Sequence, residues 1–94
     1  MERIAPWKPR GYEKLTVSST ALTFAAIPGN AVYALIRVET DSIRWRDDGT
    51  DPTAANGMLL SAGETMTYDG PLSALKMIRV TTDATVHVSY YTYG

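Results

Sequence analysis

Residues 31–39, AVYALIRVE, alternate without a break. Val32, Ala34, Ile36 and Val38 fall on one face, and Tyr33, Leu35, Arg37 and Glu39 on the other. A period of two is the signature of a strand with one face buried. The same alternation places Leu15 and Val17 together near the start of the chain, against Thr16 and Ser18, and the run resumes at Leu22 and Phe24 after a bend at residues 18–20. Ile43 and Trp45 point inward with Arg44 and Arg46 outward, and at the C-terminal end Val86, Val88 and Tyr90 alternate with His87, Ser89 and Tyr91. Short strands are expected at residues 58–60 and 65–68. Residues 74–81 are apolar but out of phase once, which predicts a bulge near Met77.

Turn formers separate these runs. Pro28 presets its own φ, and Gly29 and Asn30 accept positive φ. Thr40-Asp41, residues 61–64, Asp69-Gly70-Pro71 and Asp83 mark further reversals. About eight short strands with a turn every 8–12 residues predict an all-β domain. The expected fold is a single small antiparallel β-sandwich or jelly-roll-like barrel over residues 13–94. Residues 1–12, with Pro6, Pro9 and Gly11 around Trp7, read as an extended N-terminal arm because proline disfavours helix in itself and its predecessor. Trp7 gives that arm something to bury, either on its own domain or on a neighbour.

Residues 42–60 are the stretch around which the rest is organised. An alternating run with an inward tryptophan leads into a polar loop at 48–57, longer than an ordinary hairpin connection, and the chain re-enters as Met58-Leu59-Leu60.

Composition narrows the partners. Ninety-four residues make one domain whose folding buries only about 64% of the unfolded surface. A core that thin is commonly reinforced. With no cysteine and one histidine, neither disulfides nor an all-protein zinc site supplies the reinforcement, which leaves partner subunits. The net charge of −1 is uneven: residues 1–14 carry +2 and the remaining eighty carry −3. That is a basic arm on a mildly acidic body, too weakly basic for nucleic acid. No apolar run is long enough to span a membrane, and residues 1–11 lack the apolar core of a signal peptide, so synthesis in a cytoplasm is expected.

The candidate chemistry is sparse. Asp47, Asp48 and Asp51 cluster beside Gly49, but the later donors of a calcium loop are missing, and Asp and Gly also serve simply to shape a turn. His87 is the one possible base and has no nucleophile motif beside it, so it reads as a surface histidine. No catalytic residue, cofactor or metal ligand is assigned. Arg44 and Arg46 pair with Glu39, Asp47 or Asp48, meet a partner, or form a solvated face. Tyr91 and Tyr93 point outward together, suited to stacking on sugars or to burial against another subunit.

The runs IRWRDDGT at 43–50, Pro52-Thr53, GMLL at 57–60, Gly63, LSALKMIR at 72–79 and the closing ATVHVSYY at 84–91 resemble a type of small structural protein recurrent in tailed bacteriophages. The resemblance covers the C-terminal half firmly and the arm and first strands loosely. It is similar in kind to capsid cement or decoration proteins and implies a virion location, a homotrimer, and binding to the major capsid protein or another virion protein. The interface residues expected on this reading are Trp7, Arg10, Arg44, Arg46 and Tyr91, with Trp45 kept for the core. The alternative is a tail- or fibre-associated module that recognises host-surface carbohydrate through Tyr91, Tyr93 and the 48–57 loop. A small hydrolase built on His87 is a third, weaker class.

Overall fold

The computed structural model describes residues 7–93. Eight strands follow in chain order: β1 (Trp7–Val17), β2 (Leu22–Thr23), β3 (Tyr33–Glu39), β4 (Ile43–Arg46), β5 (Met58–Leu60), β6 (Thr65–Tyr68), β7 (Lys76–Arg79) and β8 (Ala84–Tyr93). A 3₁₀ turn at Leu72–Ala74 is the one helical element among the described residues. The strands form two four-stranded antiparallel sheets, ordered β1-β8-β3-β6 and β2-β7-β4-β5. Apart from β4 and β5, consecutive strands lie in different sheets, so the chain crosses between sheets at nearly every turn.

The alternation read along the chain explains why both sheets close on one core. Val17, Ala34, Ile36, Val38, Val86, Val88 and Tyr90 come from the first sheet; Ile43, Leu60 and Met77 come from the second. All are buried in a single cluster with Tyr68 and Ala84 of the first sheet and with Phe24, Leu72 and Leu75. No polar or charged residue among those described is fully buried. Tyr90, the largest of the fully buried side chains, donates its hydroxyl hydrogen to the Glu13 carboxylate, which also accepts from the backbone N–H of Ala25 at 3.3 Å and of Ala26 at 3.0 Å.

Two expectations change. Residues 7–12 of the predicted arm are the first half of β1, paired with β8 from Trp7 opposite Tyr93 through Tyr12 opposite Ser89. They are therefore an edge strand of the first sheet, where proline is tolerated because an edge leaves one side of the ladder open. Residues 1–6 and the side chain of Trp7 lie outside what is described. The expected bulge near Met77 is absent: β7 keeps an unbroken register with β4, from Ile43 opposite Arg79 to Arg46 opposite Lys76. The apolar pattern slipped there because Leu75, still in the approach to β7, and Met77 are both buried, whereas Ile78 lies on the outer face opposite Arg44. The register shift falls in β1 instead, between Pro9 and Gly11, with Arg10 as the extra residue.

Candidate functional site

Register gathers the aromatic residues at one end of the molecule. Tyr33 lies opposite Tyr91, Ala34 is flanked by Tyr68 and Tyr90, and Trp7 lies opposite Tyr93. Trp45, from the second sheet, meets Tyr68 edge-on with ring centroids 6.1 Å apart. The two sheets are thus tied together at this end, where the connection between β4 and β5 also leaves.

That connection, residues 47–57, is exposed, as its composition implies, but it is pinned at several points. Pro52 is buried, and Thr53 and Asn56 exchange backbone hydrogen bonds of 2.9 and 3.1 Å. The Arg44 guanidinium stands under the loop, donating from Nε to the Ala54 carbonyl and from Nη1 to the Gly57 carbonyl, each at 3.0 Å. Lys76 Nζ meets Asp51 Oδ1 at 2.9 Å. Arg46 grips Asp48 with both arms of its fork, at 3.1 and 2.5 Å, which lowers the Asp48 pKa below the usual carboxylate value. Gly57 has φ +148°, and a Cβ there would lie 3.1 Å from Arg44 Cβ and 3.2 Å from Pro52 Cβ. Only glycine lets the loop return this close to β4.

Between this loop and the end of β4 lies a cleft of about 490 Å³, lined by Trp45, Arg46, Asp47, Asp48, Asn56 and Met58 among others. Asp47 Oδ2 accepts the Tyr68 hydroxyl hydrogen at 2.8 Å. Burial first, and this bond second, push the Tyr68 pKa up to about 12. Gly70 makes that bond possible, because a Cβ at position 70 would sit 2.6 Å from the Tyr68 oxygen. Met58 lies directly across from Trp45 on β5, and Met58 and Leu59 are both more than half exposed.

The residues singled out in the sequence fall into two groups. Arg44 and Arg46 belong to the cleft and its loop, and both guanidinium groups are engaged within the chain. Arg10 is exposed at the β1 bulge with no ion-pair partner among the described residues. Tyr91 is half-buried on the outer face of the first sheet, edge-on to Tyr33 at 5.8 Å. Its neighbours on β1 are Pro9, opposite it, and the Arg10 bulge. Asp47, Asp48 and Asp51 each turn to a different partner, and no group of three metal-ligating side chains occurs among the described residues.

His87 sits in a chain of contacts that the sequence did not reveal. Its Nε2 is 3.2 Å from Glu39 Oε1, and its Nδ1 is 2.6 Å from the Tyr12 hydroxyl oxygen. An ionised carboxylate only accepts, so Nε2 donates to Glu39, and in the neutral ring Nδ1 then accepts from the Tyr12 hydroxyl. Tyr12, His87 and Glu39 come from β1, β8 and β3, joined only through strand pairing.

The chain matches no known family, no curated protein and no solved structure.

Proposed function

We propose that this chain is a non-enzymatic bacteriophage virion structural protein, a head decoration or cement protein that acts as a homotrimer on the capsid. The observation that carries the reading is the pair of strand orders, β1-β8-β3-β6 facing β2-β7-β4-β5. We read it as an eight-stranded jelly roll, an architecture common among capsid proteins. A fold alone does not give a function. The resemblance of residues 43–91 to phage structural proteins supplies the setting, and the exposed Tyr12, Met58, Leu59 and Tyr93 supply contact surface.

Such a protein works by mass action: each trimer buries surface on several capsid subunits and so stabilises the assembled shell over its parts. Arg10 and residues 1–6 are the segment we assign to the capsid contact. Co-sedimentation with emptied heads of the phage that encodes the chain tests this. Full-length protein is expected to pellet with the heads, and Arg10→Ala with residues 1–6 removed is expected to bind about tenfold more weakly at unchanged melting temperature. Full-length protein that stays in the supernatant contradicts the proposal.

A further inference from the structure

We propose that the cleft beside Trp45 is a binding site for a neutral saccharide, whether or not the chain decorates a capsid. Its volume of about 490 Å³ lies in the range of small-molecule sites. Its wall combines an aromatic ring and a thioether with a few fixed polar groups, the composition such sites share. Trp45 and Met58 provide the apolar surface on which the C–H face of a sugar ring can lie.

The polar groups are held in place before any ligand arrives. Asp47 is oriented by Tyr68 and Asp48 by Arg46, and the backbone of Asn56 is fixed by the pair it makes with Thr53. Asp47 Oδ1 and the side-chain amide of Asn56 nonetheless have no hydrogen-bond partner among the described residues. An acceptor and an amide that both donates and accepts are the groups that read vicinal hydroxyls. Preorganisation limits the ordering cost of binding.

Arg46 and Asp48 match each other's charge, so the wall keeps the single negative charge of Asp47, which opposes an anion. One lone carboxylate serves as a hydroxyl acceptor and not as half of a cation clamp.

Saturation-transfer NMR on the full-length protein, with lactose, maltotriose and chitotriose as probes, tests the assignment. At least one is expected to receive transfer, with Kd near about 1 mM. Asn56→Ala and Met58→Ala change exposed side chains outside the core. Each is expected to weaken that binding about fivefold with the near-ultraviolet circular dichroism spectrum unchanged. Asp47→Asn keeps the shape but alters the hydroxyl acceptor, and the same direction is expected. Transfer to none of the three overturns the proposal. So does binding that all three variants leave intact, or binding of N-acetyl-arginine amide where the sugars fail. Because the assay needs no capsid, its failure leaves the virion proposal standing, and failure on capsids leaves this one.

Discussion

At the scale of single residues, the tyrosine hydroxyls carry the pH dependence. Burial, followed by the bond to Glu13, drives the Tyr90 pKa well above the ordinary phenol value of 10.0, and Tyr68 is raised by burial and Asp47. Both folded values exceed the unfolded one, so their contribution is complete below pH 10. Above it the unfolded chain releases protons that the native state keeps. Stability is therefore expected to fall as pH rises past about 10, by up to about 1.4 kcal/mol per pH unit for each tyrosine. Urea titrations across that range measure it, and Tyr90→Phe should flatten the slope. On the acid side, Asp41 is lowered by the backbone N–H of Thr82 and Asp48 by Arg46. Their contribution is present above 3.8 and is lost as pH falls through the lower folded values. Removing the carboxylate by Glu13→Ala leaves the buried Tyr90 hydroxyl without its acceptor, a cost of about 1–3 kcal/mol expected in the same titrations. Thr40, a β-branched residue held at φ +80°, should gain about 1 kcal/mol when replaced by glycine.

Among the elements, the 47–57 loop depends most on one side chain. Arg44→Ala removes both bonds to the Ala54 and Gly57 carbonyls; we expect about 1–3 kcal/mol lost and faster limited proteolysis within the loop, read by mass spectrometry of the fragments. The strands themselves were legible in the sequence, because a period of two is a property of neighbouring residues: Ala34, Ile36 and Val38, and then Val86, Val88 and Tyr90, are buried as their alternation implied. The Pro28 turn was legible too, with Asn30 at φ +69° and Ala31 N–H bonded to the Pro28 carbonyl. Features set by distant partners were not. Arg44 finds its acceptors ten and thirteen residues away. Asp47 in the cleft wall is oriented by Tyr68 from the other sheet, and the contacts of His87 need strands from three parts of the chain. Local reading also began β1 too late, since prolines suggested an arm where an edge strand accommodates them.

For the whole molecule, the position of β1 alters how the chain must be cut. Removing residues 1–12 would strip Trp7 through Tyr12 from the edge of β8 and expose its ladder, so loss of function would follow from damage to the sheet. Removing residues 1–6 leaves every described pair in place. Native mass spectrometry of the full-length and the 7–94 chains at micromolar concentration is the most direct test of the homo-oligomeric virion protein proposed here. A trimer is expected for both forms, each folded, because residues 1–6 are assigned to the capsid contact and not to the contact between subunits. A strict monomer in both would contradict it.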